Sequence, residues 1–577
     1  METRMDKRTK QTIIGAVLVL SVILVIGAVA LIRHLTPGKE WMNLSEYYQV
    51  PEGEVMIVLN GKIYEKNALL MEENIYLEME MAQTCFNHRF YWDSNENLLI
   101  YATPTEIIRA EVGSRDYQVD KTKKSLSHSV VKTIGNQAYV SLEFVALYSD
   151  MQYEAISLKE DGKSYVQRVV INNEYETELY VDVKKTTQVR TEADRKSLIL
   201  AELTEGEQLQ IMNGGTQENG YLKVMTEDGI FGYVKKSHVT EGYYDMREST
   251  YVAPVYTSIA KDYTINLTWH MVTNETANAN LTEMLNNTKG ITTISPTWFS
   301  ISSNEGTLSS LASETYVTQA HNLGLEVWGL VDNFNEEVDT YQVLSRTSTR
   351  EKLINEILAQ AIMYNLDGIN IDFENLTLET GVHFIQFLRE LSVKCRNNKI
   401  ILSVDNYVPA SYNKYYDYAE QGVLVDYVVI MAYDEHYAGS PEAGSVSSIG
   451  YVENAIANTL KMVPKEKVIM GIPFYTRLWK ESVTDGVATL SSEALGMESA
   501  ELTLEANGAE PVWDVKTAQY YAEYQKESTT YKIWMEEETS IETKVAKIHA
   551  ASLAGVASWR LGFEKNTIWD VILKYVN

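Results

Sequence analysis

The sequence predicts an α/β protein: a (β/α)8 TIM barrel over about residues 250–577, preceded by two small β-rich modules and an apolar N-terminal helix. Three observations predict it. From Tyr263 onward, eight apolar strand-like runs alternate with helical stretches, the cadence of a barrel of parallel strands. Before about residue 240 the runs are shorter and separated by turn residues. Residues 12–32 contain no charged side chain. A length of 577 residues also implies several domains rather than one.

The apolar segment comes first in the chain. Thr12 to Ile32 is long enough to cross a hydrocarbon core and lacks the polar stripe of a core helix. Arg4, Lys7, Arg8 and Lys10 precede it, which places residues 1–11 in the cytoplasm and the remainder outside. An uncleaved membrane anchor is preferred over a cleaved signal peptide. Ala28-Val29-Ala30 would suit a peptidase, but the apolar run continues past it through Leu31 and Ile32. In the second case the protein is secreted.

Charge follows the same division. The chain has 50 Lys+Arg against 79 Asp+Glu, a net charge of −29. Residues 1–40 hold six basic and three acidic side chains, so the remainder stands at −32. Nucleic acid is excluded as a partner, because phosphate binding needs a basic surface. Two Cys, Cys85 and Cys395, form neither a disulfide framework nor a zinc spacing.

Residues 45–185 read as an α+β domain. VMIVLNGKIY (Val55–Tyr64) alternates around an Asn-Gly turn. A weak repeat follows, ENIYLEMEMAQTCFNHRFYWD and NQAYVSLEFVALYSDMQYEA, each a strand, a short helix and a strand. The pattern resembles the small repeated domain named after the N-terminal region of copper amine oxidases. It has no His cluster for copper, and an unrelated α+β spacer is the alternative. Residues 187–240 carry short β-runs at the spacing of a small barrel. Val189-Arg190-Thr191, Tyr221-Leu222-Lys223-Val224 and Gly232-Tyr233-Val234 resemble the bacterial SH3-like domain. That resemblance implies binding of cell-wall peptides, with a spacer role as the alternative.

The eight barrel runs are TINLTWHMV, ITTISPTWFSI, LEVWGLVDN, LDGINIDFE, IILSVDNYV, VDYVVIMAYD, VIMGIPFYT and GVASWRLG. A doubly wound open sheet is disfavoured, since no Gly-rich phosphate loop follows the first run. An α+β insertion over about 480–538 interrupts the pattern after the seventh.

The fourth run carries the chemistry. A strand's period of two puts Asn370, Asp372 and Glu374 on one face and Ile369, Ile371 and Phe373 on the other. The apolar face packs on helices and the polar face points into the barrel. Glu374 falls at the strand's C-terminal end, where barrel active sites form. Proximity to Asp372 disfavours ionising both carboxyls, and a raised Glu pKa suits a general acid. Met431 and Tyr433 end the sixth run, before Asp434, and Trp559 lies in the eighth, where an indole could floor a sugar ring.

Together these residues resemble glycoside hydrolase family 18, the chitinase-like barrels. The family's DxxDxDxE signature stands here as Asp367, Asn370, Asp372 and Glu374, and its Met-x-Tyr-Asp as Met431, Tyr433 and Asp434. SPTWFS, which contains Trp298, and GIPFYTR resemble the branch with spore-cortex and cell-wall lytic glucosaminidases. The resemblance implies substrate-assisted hydrolysis with retention. Glu374 protonates the leaving oxygen, Asp372 orients the substrate's acetamide and Tyr433 bonds to it, with no cofactor and no metal. Asp367, Met431, Asp434, Trp559 and Trp298 are then substrate-binding candidates. The implied substrate is an N-acetylglucosamine polysaccharide, peptidoglycan or a chitin-type oligosaccharide. Asn370 departs from the family's middle Asp, so a carboxylate able to exchange a proton with Asp372 is missing there, and a changed pH profile is expected. Phe373 replaces a common Trp, and the small-residue motif of the third strand is not evident. The alternatives are a sugar-binding protein without catalysis and a wall-anchored structural protein. The presence of Glu374 favours the enzyme.

Overall fold

A computed structural model of the chain describes residues 6–160, 163–484 and 487–576. Arg4 of the expected cytoplasmic tail lies outside the described residues. The apolar segment forms a helix over Lys7–Leu35, 29 residues and exposed throughout. At 1.5 Å per residue it extends about 44 Å, enough to span a bilayer core of roughly 30 Å. The Thr12 and Ser21 hydroxyls donate to carbonyls four residues earlier, which hides their polarity along the apolar surface.

The remaining chain divides into two compact units. The first comprises residues 1–88, 113–115 and 126–253. It holds two eight-stranded sheets. In one of them Asn60 and Gly61 both take positive φ, 49° and 71°, which closes the predicted hairpin with Leu59 opposite Lys62. The two halves of the repeat meet through their first strands, Asn74–Glu78 and Gln137–Ser141, paired antiparallel with Val140 opposite Leu77. The second sheet runs from Thr177 to Met246 around Val189, Leu209, Val224 and Val234.

The repeat diverges at its third element. Gln152–Glu160 stays in the first unit, whereas Tyr91–Asp93 opens a five-stranded meander, Tyr91 to Ser125, that belongs to the second. The 45–185 segment is therefore shared between the two units.

The second unit, residues 89–112, 116–125 and 254–577, contains the barrel. Each of the eight predicted runs carries one strand: β1 (Ile265–His270), β2 (Thr293–Ile301), β3 (Glu326–Asp332), β4 (Gly368–Asp372), β5 (Ile401–Tyr407), β6 (Tyr427–Met431), β7 (Val468–Pro473) and β8 (Gly555–Trp559). All pair in parallel. The ring closes because β1 pairs with β2, Leu267 opposite Thr293, and with β8, Ile265 opposite Gly555. The strand period sorts the core into two layers. Leu267, Trp269, Trp328, Leu330, Val429 and Ala557 fill the interior. Ile369, Ile371 and Phe373 face outward and pack with Phe384 and Phe387 of the helix Leu378–Asn398. Phe373 therefore serves packing. The insertion begins at Tyr475, directly after β7, as a five-stranded sheet with the helix Met497–Ala506.

Candidate active site

The inward file of β4 reaches the C-terminal mouth of the barrel as predicted. Asn370 is fully buried and its amide is saturated. Its Oδ1 accepts from the Trp269 indole (2.9 Å) and Ser295 (3.1 Å), and its Nδ2 donates to Ser403 (3.0 Å) and Asp405 (2.7 Å). Asp372, one step further along the strand face, is buried, and its Oδ1 has no hydrogen-bond partner. Glu374 leaves the strand half-buried. Its backbone is clamped by Asn333, which accepts from the Glu374 N–H (2.8 Å) and donates to its carbonyl (3.0 Å). Its carboxylate accepts from the Tyr407 hydroxyl (2.7 Å). Asn375, at φ 52°, then turns the chain away.

Three carboxyls of this mouth, Asp372, Glu374 and Asp405, titrate above their usual range. Burial raises Asp372 well above the usual range, and the nearby charges of Asp405, Glu374 and Asp332 raise it further. Burial also raises Glu374. The Tyr407 hydrogen bond opposes that, and the charges of Asp434 and Asp332 add to it. Asp405 is pushed up to about 8, chiefly by burial, against the pull of the Asn370 and Trp269 hydrogen bonds. Among the described residues, no Lys or Arg charge contributes to any of the three. Burial and like charge raise these carboxyl pKa values in the direction that acid catalysis needs. Among the described residues, no group of three His, Cys, Asp or Glu side chains is placed to hold a metal ion.

The aromatic side of the site is continuous. Tyr433 sits edge-on to Trp269 (6.5 Å) and Tyr475 (6.3 Å), and Trp559 lies 5.9 Å from Trp269. Met431 packs in the same inner layer. The Tyr475 hydroxyl donates to Asp434 (2.6 Å), which takes a left-handed φ of 56°.

Seven of the nine candidates thus converge: Asn370, Asp372, Glu374, Met431, Tyr433, Asp434 and Trp559. Two do not. Trp298 points outward into the helix-facing core, where its indole donates to Asn278 (2.8 Å). Asp367 lies at the opposite end of β4. It accepts from the Val327 N–H (2.8 Å) and meets His321 Nε2 (2.8 Å), fastening β3 to β4. Sequence reasoning missed Asp405, Tyr407, Asn333 and Asp332. The signal for two of them was present: Ser403, Asp405 and Tyr407 form a polar file on β5 with the same period of two as β4.

Comparison with known proteins bears on the family. Residues 230–564 match the family described as Glycosyl hydrolases family 18, more than half of the chain. The chain belongs to glycoside hydrolase family 18. It is therefore a glycosidase by family. The family 18 chain is 28% identical over 273 residues to the "Uncharacterized glycosylase YvbX" of Bacillus subtilis, covering 45% of this chain and 77% of that protein. It is 28% identical over 243 residues to the Cortical fragment-lytic enzyme of the same organism, covering 41% of this chain and 56% of that one. It thus spans little more than half the length of that lytic enzyme. In fold, it matches the C-terminal domain of a "putative chitinase" from Desulfitobacterium hafniense DCB-2, with a TM-score of 0.50 at 22% identity. That match covers 55% of this chain and all of the other.

Proposed function

We propose that this protein hydrolyses N-acetylglucosaminyl linkages of peptidoglycan with retention, assisted by the substrate's own acetamide. The observation that carries the reading is Glu374 at the barrel mouth, its pKa raised by burial, with Asp372 and Tyr433 beside it. Glu374 gives its proton to the glycosidic oxygen as that bond to the anomeric carbon breaks. The acetamide oxygen attacks the same carbon and forms an oxazolinium ion. Water opens the ring and returns a proton to Glu374, so two inversions give net retention. Asp372 orients the acetamide N–H and balances its positive charge, and the Tyr433 hydroxyl donates to the acetamide oxygen.

The lytic relative's name supports peptidoglycan over chitin. The apolar helix supports a single-pass anchor with the barrel outside the cell. The 187–240 module is the proposed contact to wall peptides.

The test uses the purified full chain on peptidoglycan and on chitin oligomers, with products identified by mass and anomer by NMR. The expected result is reducing ends in the retained configuration and inhibition by an N-acetyl-thiazoline mimic of the oxazolinium. Inverted product, or no inhibition at high concentration, refutes acetamide participation. Trp559→Ala should raise KM by about fivefold with little change in kcat, since a stacked ring contributes roughly 1 kcal/mol of binding. Steady-state kinetics on chitin oligomers checks it.

A further inference from the structure

The carboxylate missing from position 370 has a counterpart on the neighbouring strand. β4 and β5 pair with Asn370 opposite Ser403 and Ile371 opposite Val404, so the next inward side chains on the two strands are Asp372 and Asp405. Both are buried, 5% and 2% exposed. Asn370 has no spare capacity for Asp372: both donors and its acceptor are committed to Ser403, Asp405, Trp269 and Ser295. One of its donors holds Asp405 in place at 2.7 Å. Asp372 keeps an unpartnered buried oxygen. Among the described residues, the other ionisable groups bearing on the two carboxyls are Glu374, Asp332 and Tyr433, all acids. Two buried carboxyls side by side with only acids around them cannot both carry charge.

We propose that Asp405 is a positioning residue that shares one proton with Asp372 across the β4–β5 pair, doing from strand five what a carboxyl at position 370 would do from strand four. Once the pair has lost one of its two protons, the remaining proton lies on Asp372, and Asp405 is the anion held by the Asn370 amide. When an acetamide binds, the O–H bond on Asp372 breaks and one forms on Asp405, with no other change. Asp372 is then the anion that faces the positive charge developing on the acetamide. The inference rests on the proposed acetamide-assisted reaction.

The experiment compares the pH dependence of kcat and kcat/KM on chitin oligomers for the full-length wild type, D405N and the exchange variant N370D/D405N. D405N should lower kcat roughly tenfold with KM nearly unchanged, and should move the acidic limb of the kcat profile down by about one pH unit, because Asp372 loses its like-charged neighbour. N370D/D405N should regain kcat to within about threefold of wild type and restore the limb. A D405N profile that superimposes on wild type, or an exchange variant no better than D405N, overturns the proposal. Should neither variant fold by circular dichroism, infrared difference spectra decide, recorded on the Glu374→Gln protein with and without the thiazoline. The band of a buried protonated carboxyl should shift on binding, and an unchanged band overturns the proposal. A wild-type chain that cleaves no glycan and does not bind the thiazoline overturns the functional reading and this one together. Normal wild-type hydrolysis with an unresponsive D405N overturns this one alone.

Discussion

Glu374→Gln should lower kcat on N-acetylglucosaminyl glycans by roughly 10²–10⁴-fold while KM stays within about threefold. The amide is nearly isosteric and can still accept the Tyr407 hydroxyl that holds the carboxylate at 2.7 Å. The Asn333 clamp acts on backbone atoms and is indifferent to the side chain. Binding geometry therefore survives and proton donation is lost. A leaving-group series separates this from a general disruption. Substrates with acidic phenol leaving groups need no protonation, so the variant should cleave them far closer to the wild-type rate than it cleaves an oligosaccharide. Equal losses on both would remove Glu374 from the acid role. The pH profile gives a second readout. Glu374 must be protonated to act, and its folded pKa is raised by burial and by the charges of Asp434 and Asp332. Wild-type kcat should therefore fall as pH rises through that raised value.

The period of two explains what was legible and what was not. It placed Asn370 and Asp372 inside the barrel and Ile369, Ile371 and Phe373 outside from sequence alone, because a strand's faces alternate whatever surrounds it. The same rule applied to β5 would have found Asp405 and Tyr407. Their partners, Asn370 and Glu374, lie more than thirty positions away, and adjacency across parallel strands is a tertiary fact. Trp298 shows the converse. The shift in the β2–β3 pairing between Thr297 and Phe299 marks a bulge at that point, and a bulge breaks the alternation that a sequence pattern assumes. The repeat in residues 45–185 was legible as two similar units. Their divergence was not, because Tyr91–Asp93 is committed to the barrel unit by contacts with residues some 250 positions later.

Those contacts support the second large effect. Arg350→Ala should destabilise the barrel unit by about 3–5 kcal/mol. Arg350 and Glu390 are both fully buried, and Arg350 Nε donates to Glu390 at 2.8 Å. Glu390 also accepts from Gln386 (3.0 Å) and from Arg109 of the meander (3.3 Å). The Arg350 guanidinium lies 4.8 Å over the Tyr91 ring and donates to the Leu344 carbonyl (2.7 Å). Burial alone would raise the Glu390 pKa, but Arg350 and Arg109 outweigh it and hold it below 4.5. A depressed carboxylate contributes stability that is present above its unfolded pKa and is lost as pH falls through the folded one. Removing Arg350 reverses the sign, because Glu390 is then fully buried with Arg109 alone, through one 3.3 Å contact, and is easier to protonate than in the unfolded chain. The variant should gain stability between pH 7 and pH 5 relative to wild type, in which the Glu390 contribution is constant over that range. Nine of the ten tryptophans lie in this unit, so urea unfolding followed by tryptophan fluorescence reports on it. The double variant Arg350→Met/Glu390→Met should recover most of the loss, since it removes both charges and fills the volume, and Arg109 can turn to Glu351, already 3.5 Å away. A double variant as unstable as Arg350→Ala would mean that the cost lies in lost packing against Tyr91 rather than in an unpaired buried charge.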